Sequence, residues 1–222
     1  MSAARIGILG GTFNPIHYGH LRSAEEIAAD LRLERVLFVP SSEAPHKTRV
    51  GLAPATHRLA MVRLATAGNP RFRTADLEVK RGGRSYSVDT LRELRRRLGD
   101  DAELDFLIGL DAFRQIDSWK EYAEIFSLVD LVVTSRPPEE ISRRATLPPV
   151  AVRRDFCYRA GRGWVHRSGH TILFRSVTAL DISASDIRSR LARRESIRYL
   201  VPPAVERYIA RHRLYSKRSS RR

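Results

Sequence analysis

The sequence predicts an α/β protein with a Rossmann-like, doubly wound parallel sheet and helices on both faces. Short apolar runs alternate with amphipathic helical segments along most of the chain, as in parallel strands joined by right-handed crossovers. The runs FLIG at 106–109 and LVDLVV at 128–133 are almost continuously apolar, as in strands buried on both faces. A glycine-rich turn separates the first strand from the first helix, where such sheets bind ligands.

The individual elements follow from the spacing of the apolar residues and from turn residues. Strands are predicted at 5–9, 35–39, 72–79, 104–108, 128–134 and 171–177, and helices at 18–31, 57–67, 88–98, 185–194 and 203–212. The polar segment 41–54 after Pro40 is predicted to be a loop. Ser118 and Glu121 have capping-box spacing, which predicts a further helix to about residue 126.

The remaining stretches carry weaker patterns. Residues 137–170 are rich in proline, glycine and arginine, and we expect them to be irregular. No internal repeat or clear linker is present, so the sequence predicts a single domain over residues 1–215, followed by a disordered basic tail at 216–222.

Composition restricts the class of protein. Of the 222 residues, 42% are hydrophobic, as in a globular protein with a buried core. No apolar run approaches the roughly 20 residues that cross a bilayer, and an apolar strand begins near Met1, so we expect neither a membrane association nor a secretory signal. Cys157 is the only cysteine, which excludes an intramolecular disulfide and favours the cytoplasm.

The chain is strongly basic, with a formal net charge of +15. Such a charge favours polyanionic ligands, but it does not distinguish DNA or RNA from a nucleoside triphosphate. No RNA-binding signature and no interleaving of aromatic and basic residues is present, which makes nucleic acid an improbable partner. The sequence does not distinguish a monomer from a homodimer.

The strongest local signal is the segment GGTFNPIHYGH at 10–20. Adjacent glycines let a phosphate approach the backbone, and the helix that follows offers free N–H groups and a positive dipole end to the same anion. His17 and His20 lie near one face of the helix start. Metal ligation would require i, i+4 spacing and further ligands, and core packing is a second alternative; phosphate binding by the imidazole N–H groups is favoured.

This segment resembles the first signature of the HxGH nucleotidyltransferase superfamily, with His17-Tyr18-Gly19-His20 as its HxGH element. Residues 182–188, with the sequence ISASDIR, resemble the second signature, usually ISSTxIR. Four further blocks, at 40–47, 85–91, 106–119 and 201–215, resemble the bacterial nicotinate-nucleotide adenylyltransferases within that superfamily. Asn14 stands where that family usually has aspartate, and Ala184 replaces the middle serine of the second signature.

The resemblance implies transfer of AMP from ATP to nicotinate mononucleotide in NAD biosynthesis, with magnesium carried by ATP rather than by a dedicated protein site. It implies that His17, His20 and Arg188 are catalytic. The residues implied to bind ATP are Gly10, Gly11, Thr12, Phe13, His17, His20, Gly109, Asp111, Ile182, Ser183, Ser185 and Arg188. Those implied to bind the acceptor substrate are Asn14, His46, Lys47, Ser85, Tyr86, Ser87, Trp119, Lys120 and Arg136.

Several of these residues have a simpler alternative role. Ser183 and Ser185 are suited to cap a helix, Trp119 to pack against the core, and Arg136 to solvate a loop. At the level of function, the alternatives are a related transferase with another phosphate acceptor, such as phosphopantetheine or a sugar or glycerol phosphate, and a basic nucleic-acid-binding protein. The first lacks a reason for the blocks at 85–91 and Trp119 together.

Overall fold

The computed structural model describes residues 4–43, 51–135 and 146–216. The strands within these ranges are β1 (Arg5–Gly11), β2 (Arg35–Pro40), β3 (Phe72–Thr74), β4 (Glu103–Gly109), β5 (Asp130–Ser135), β6 (Phe156–Arg159), β7 (Gly163–His166) and β8 (Thr171–Ser176). The helices are α1 (Tyr18–Asp30), α2 (Ala55–Thr66), α3 (Leu77–Arg81), α4 (Ser87–Leu98), α5 (Leu110–Arg114), α6 (Tyr122–Leu128), α7 (Ala184–Ala192) and α8 (Pro203–Arg211). Short 3₁₀ helices cover Ile116–Ser118 and Val150–Asp155.

All eight strands belong to one sheet, in the order β3-β2-β1-β4-β5-β8-β7-β6. The first six in this order pair in parallel, and β7 and β6 add an antiparallel hairpin at one edge. The predicted Rossmann-like α/β class is confirmed. Strand β1 lies inside the sheet between β2 and β4, so the turn after it opens at the carboxyl edge of the parallel strands, where this architecture binds ligands.

Apolar side chains fill both faces of the sheet, as the continuous apolar runs predict. In β4, Phe106 and Ile108 pack on one face with Val88 and Leu91 of α4, whereas Leu107 packs on the opposite face with Ile27 of α1. Alternate residues of a strand point to opposite faces, so a strand covered on both sides must be apolar throughout. No helix in the described part of the chain is long and apolar enough to cross a membrane.

The predicted strand 72–79 is wrong in its second half. Strand β3 ends at Thr74, and α3 begins at Leu77. The last pairing joins Thr74 to Phe38, whose carbonyl oxygen also accepts a hydrogen bond from Ala75 N at 2.9 Å, and beyond it β2 continues to Pro40 without β3. A single turn of helix buries Leu77 as well as a strand would, and the apolar pattern does not separate the two.

The predicted start of the helix after Ser118 is also wrong. Ser118 ends a 3₁₀ turn, Trp119 is extended, and α6 begins at Tyr122. The indole of Trp119 packs edge-on against Phe106, with ring centroids 6.3 Å apart, and Glu121 adopts a left-handed conformation with φ 47°. Packing of the tryptophan against the sheet therefore overrides the local capping-box signal.

The segment expected to be irregular contains a β-hairpin in its described part. Strands β6 and β7 pair in register, with the rings of Tyr158 and Trp164 5.4 Å apart in an edge-to-face contact. Gly161 lies in the turn between them at φ 77°, and Gly163, the first residue of β7, has the same φ. A Cβ atom on Gly163 would also meet the carbonyl oxygen of Ile172 in the neighbouring strand β8 at 2.8 Å. The glycines that suggest an irregular loop are thus required by the backbone of the hairpin and by its close approach to β8.

Candidate active site

A cavity of about 390 Å³ opens at the carboxyl edge of the sheet, over the ends of β1, β4 and β5. Ten of the residues singled out from the sequence line it: Gly10, Gly11, Thr12, His20, Ser85, Tyr86, Ser87, Gly109, Trp119 and Lys120. The structure therefore brings together segments that are up to 110 positions apart in the chain. Ser23, Ser41, Glu78, Phe106, Ala112 and Thr134 also contribute to its wall.

The glycine turn, residues 10–14, forms one wall of the cavity. A Cβ atom on Gly10 would touch only the ring of Phe106, at an ordinary 3.7 Å, and one on Gly109 would meet no atom within 4 Å. The protein itself does not require glycine at these two positions. Bare backbone beside a cavity allows close approach by a ligand, which is the role that the sequence assigns to these glycines.

His17 and His20 are arranged around the start of α1. Their ring centroids are 3.8 Å apart, and the Nδ1 atom of His20 accepts a hydrogen bond from the backbone N–H of His17 at 3.3 Å. Because Nδ1 is an acceptor, the proton of the neutral His20 ring lies on Nε2. A Cβ atom on Gly19 would lie 3.0 Å from Nδ1 of His17, so any other residue there would require the His17 ring to shift by a few tenths of an ångström.

The second signature forms the start of α7 and contacts the glycine turn. Ser183 is the N-cap, and its Oγ accepts a hydrogen bond from Asp186 N at 3.1 Å. The guanidinium of Arg188 donates to the backbone oxygen of Asn14 at 2.8 Å. The capping role of Ser183 is therefore present, and Arg188 is held beside the glycine turn although neither residue lines the cavity.

Asn14 connects three parts of the chain. Its amide nitrogen donates to Gly51 O at 2.9 Å, and its side-chain oxygen accepts from Ala53 N at 3.0 Å and from the Tyr215 hydroxyl at 2.8 Å. An aspartate in this place could accept two of these bonds but could not donate to a carbonyl oxygen. The departure from the family pattern at position 14 is thus matched by an intramolecular bond that only the amide makes.

A second wall, the aromatic wall, consists of Tyr86, Ser87, Trp119 and Lys120. Tyr86 is the N-cap of α4, so the first amides of that helix face outward without intrahelical acceptors. The ammonium of Lys120 lies 5.1 Å from the Tyr86 ring centre and binds both carboxylate oxygens of Asp89 at 3.0 Å. A flat apolar surface therefore adjoins a helix start, which suits a planar ring with an anionic substituent.

Glu78 is a buried carboxyl group in the lining of the cavity that the sequence did not point to. It is 6% exposed, accepts a hydrogen bond from Thr90 Oγ1 at 2.6 Å, and also receives one from the Ser85 hydroxyl. Burial raises its pKa, against the opposing effects of these bonds and of Arg81 and Arg58. The sequence pattern places it in the predicted strand 72–79, and that gives no sign that its carboxyl group is buried.

Ser41 is another residue of the cavity that the sequence did not single out. Its side chain is buried, and its Oγ has no hydrogen-bond partner among the described residues. A buried hydroxyl without a partner costs free energy, so it is suited to contact a polar ligand. It lies one residue past the end of β2, a position that the strand pattern could have suggested.

The other predicted site residues within the described ranges do not line this cavity. Phe13 and His17 are buried beside it, Asp111 is exposed, and Ile182 and Ser185 flank the start of α7. His46, Lys47 and Arg136 lie outside the described residues. No group of three or more histidine, cysteine, aspartate or glutamate side chains that could hold a metal ion occurs within the described ranges.

Comparison with known proteins identifies the family. Residues 8–190 match the family described as cytidylyltransferase-like. The chain is 50% identical over 212 residues to the probable nicotinate-nucleotide adenylyltransferase of Citrifermentans bemidjiense, covering 95% of this chain and 98% of that one. It is also 50% identical over 214 residues to the protein of the same name in Geobacter metallireducens, covering 96% and 98%.

Solved structures agree with the fold. The nicotinic acid mononucleotide adenylyltransferase of Plasmodium falciparum, complexed with NaAD, superposes with a TM-score of 0.72 at 19% identity, over 95% of this chain and 97% of that one. The same enzyme complexed with APC gives a TM-score of 0.70 at 18% identity, over 96% and 97%. The chain belongs to the cytidylyltransferase-like family and, within it, to the nicotinate-nucleotide adenylyltransferases.

Proposed function

We propose that this protein transfers AMP from ATP to nicotinate mononucleotide, forming nicotinate adenine dinucleotide and releasing pyrophosphate. One observation carries the proposal beyond the family assignment: a single cavity joins the glycine turn and His20 to the aromatic wall of Tyr86 and Trp119. The first part suits a triphosphate, and the second suits a planar pyridine ring. A transfer between the two substrates requires both parts within one enclosure.

In the reaction, a phosphate oxygen of nicotinate mononucleotide attacks the α-phosphorus of ATP. A new O–P bond forms as the bond from the α-phosphorus to the bridging oxygen breaks, and that oxygen leaves with pyrophosphate. The nucleophile is already an anion, so no strong base is needed. The protein must orient both phosphates and stabilise the negative charge that develops on the oxygens around the α-phosphorus.

The residues around the glycine turn are proposed to bind ATP. His20 would donate from Nε2 to a phosphate oxygen, since its Nδ1 already accepts from the backbone. Arg188, together with Ser183 and Ser185 at the start of α7, would bind the outer phosphates with charge-assisted bonds. Gly109, at the end of β4, lines the cavity, and its bare backbone would allow close approach by the adenosine. Magnesium enters as part of the MgATP substrate and neutralises charge on its phosphates.

The aromatic wall is proposed to bind the nicotinate ring. Trp119 presents its indole to the cavity and is held edge-on by Phe106. The first backbone N–H groups of α4, at Ser87 and just beyond, would hydrogen-bond the nicotinate carboxylate. Lys47, which lies outside the described residues, stays a predicted partner of the acceptor phosphate, as does Arg136.

A direct test is pyrophosphate release by the purified protein with MgATP and a panel of acceptors. The proposal predicts turnover with nicotinate mononucleotide and at most traces with phosphopantetheine or glycerol 3-phosphate. Comparable turnover with one of those acceptors would show that the family assignment does not extend to the substrate. Contaminating ATP hydrolysis can add to the phosphate signal. The dinucleotide product is therefore identified separately by its mass.

A further inference from the structure

Arg58 of α2 is a buried arginine with an unusual set of partners. Its side chain is 1% exposed, and its described hydrogen bonds all go to main-chain carbonyl oxygens. Nε donates to Ala53 at 2.9 Å, Nη1 to Thr12 and Ser41 at 2.7 Å each, and Nη2 to Ser42 at 2.7 Å. Arginine is rarely buried to this extent, and only its fork of five donors can satisfy four acceptors at once.

The acceptors of Arg58 belong to segments that build the cavity. Thr12 lies in the glycine turn after β1, and Ser41 and Ser42 directly follow β2. Ser42 N donates in turn to the hydroxyl of Ser85 at 2.9 Å, two residues before the first residue of α4. One guanidinium group therefore connects the glycine turn to the segment that leads into the aromatic wall.

Glu78 is linked to Arg58 through Ser42 and Ser85. The hydroxyl of Ser85 hydrogen-bonds its carboxyl group, so Ser85 links Ser42 to Glu78. Arg58 and Glu78 attract each other electrostatically: each moves the pKa of the other in the direction that favours its charged form. Both side chains are buried, where a charge without a compensating charge is costly.

We propose that Arg58 is a positioning residue that fixes the glycine turn relative to the aromatic wall, with Glu78 as its buried counter-charge. This inference rests on the proposed function, since it concerns how two bound substrates are aligned. Arg58 would touch neither substrate. Misplacement of reacting groups by about 1 Å can lower a rate by about a hundredfold, so loss of the fork would affect the transfer step more than the binding of either substrate.

The variant Arg58→Lys keeps the charge and removes the fork. The ammonium group of lysine has three donors on one atom. It cannot reach the carbonyl oxygens of Thr12 and Ser42 and that of Ala53 at the same time. We expect kcat to fall by about tenfold to a hundredfold while both KM values change by less than about threefold. Arg63→Lys is the matched control, because Arg63 lies on the same helix in an exposed ion pair with Asp76, and it should retain the wild-type kcat.

A double-mutant cycle tests the counter-charge. Arg58→Met leaves Glu78 without its compensating charge, and Glu78→Gln removes that charge. The double variant should be more stable to urea, and more active, than the sum of the two single effects predicts. Near-ultraviolet circular dichroism establishes that each variant is folded at the assay temperature.

The outcomes separate the possibilities. Wild-type kcat in Arg58→Lys, or a fall in kcat no larger than the loss of folded protein, would overturn the positioning role. Additive effects in the cycle would overturn the pairing with Glu78. A wild-type protein without activity on nicotinate mononucleotide would overturn the proposed function and this inference with it, whereas an active wild type with an unaffected Arg58→Lys variant would overturn the inference alone.

Discussion

At the scale of single residues, His20 is oriented before any substrate binds. The backbone N–H of His17 fixes its Nδ1 atom, and the ring of Phe13 packs edge-on against it with centroids 5.1 Å apart. A donor that is already oriented needs no reorganisation as charge develops on a phosphate, which is how preorganised groups stabilise transition states.

The variant His20→Ala should lower kcat by about a hundredfold, because it removes one such preorganised donor. Steady-state pyrophosphate release measures the effect, and the melting temperature reports the fold. His212→Ala is the control, since His212 is exposed after the end of α8 and should leave kcat unchanged. Near-normal turnover in folded His20→Ala would remove this residue from the mechanism.

Glu78 gives a prediction about pH. Its pKa in the folded protein is raised above its ordinary value of 4.5, chiefly by burial, so the folded state holds the proton more tightly than the unfolded state. The stability that this group contributes is therefore fully present below pH 4.5 and is lost as the pH rises through the folded pKa. Arg81 and Arg58, which oppose the shift, limit its size.

Glu78→Gln cannot titrate and should lack this dependence. The free energy of unfolding of the wild type, minus that of the variant, should decrease as the pH rises from 4.5 to 8. Urea unfolding at several pH values measures the difference. A constant difference would show that Glu78 titrates alike in the folded and unfolded protein.

Cavity-lining residues that stand in contiguous motifs could be found from the sequence, whereas buried residues whose position depends on the fold were missed. His20 and the glycine turn are recognisable because one strand–turn–helix unit contains them. Arg58 stands in the predicted helix 57–67 and Glu78 in the predicted strand 72–79, and charged residues are usually solvated. Their burial depends on partners such as Ser85 and Thr12, which lie outside their own elements.

At the scale of elements, the start of helix α7 has two compatible roles. Ser183 caps the helix, and it is also a proposed ligand of the ATP phosphates. Capping and ligand binding respond differently to substitution, because glycine replaces a serine N-cap at a cost of only a few tenths of a kcal/mol, whereas alanine costs about 1 kcal/mol.

Ser183→Ala and Ser183→Gly should therefore separate the roles. Both variants lose the hydroxyl, so both should raise KM for ATP by about tenfold, the equivalent of a hydrogen bond to a charged group. Only the alanine variant should lose about 1 kcal/mol of stability. An unchanged KM in both variants would leave Ser183 as a helix cap and nothing more.

Elements were predicted well where packing follows a single local pattern. The parallel strands other than β3 and the helices α1, α2 and α4 were found within a few residues, because a single local run or period of apolar residues marks each of them. The errors occurred where the local pattern is ambiguous or overridden. The apolar residues of 72–79 fit both a strand and a short helix, and Trp119 leaves the helical path to pack on Phe106 of β4.

At the scale of the whole molecule, a residue near the end of the described chain contacts the glycine turn near its beginning. The Tyr215 hydroxyl donates to the side chain of Asn14 in the glycine turn, and burial raises the pKa of this phenol. Residues 217–222, beyond this contact, contain four basic residues and no apolar residue. Tyr215 therefore belongs to the structure that supports the site, whereas the basic tail is proposed to be dispensable.

Two truncations test this boundary. A chain ending at Ser216 should keep the wild-type kcat and melting temperature at both low and moderate salt. A chain ending at Leu214 also loses the bond to Asn14 and should be about 1–2 kcal/mol less stable. A large loss of activity in the chain ending at Ser216, at both salt concentrations, would show that the tail reaches the site or an essential partner.

The most direct test of the central claim is the ratio of kcat/KM for nicotinate mononucleotide to that for nicotinamide mononucleotide. Backbone N–H groups at the start of α4 would bind a carboxylate, and the neutral amide satisfies them less well. Sites built around such donors discriminate by several kcal/mol, which corresponds to orders of magnitude in kcat/KM. We predict a preference for the acid of at least about a hundredfold. A ratio near one, or a preference for the amide, would contradict the assignment of the acceptor.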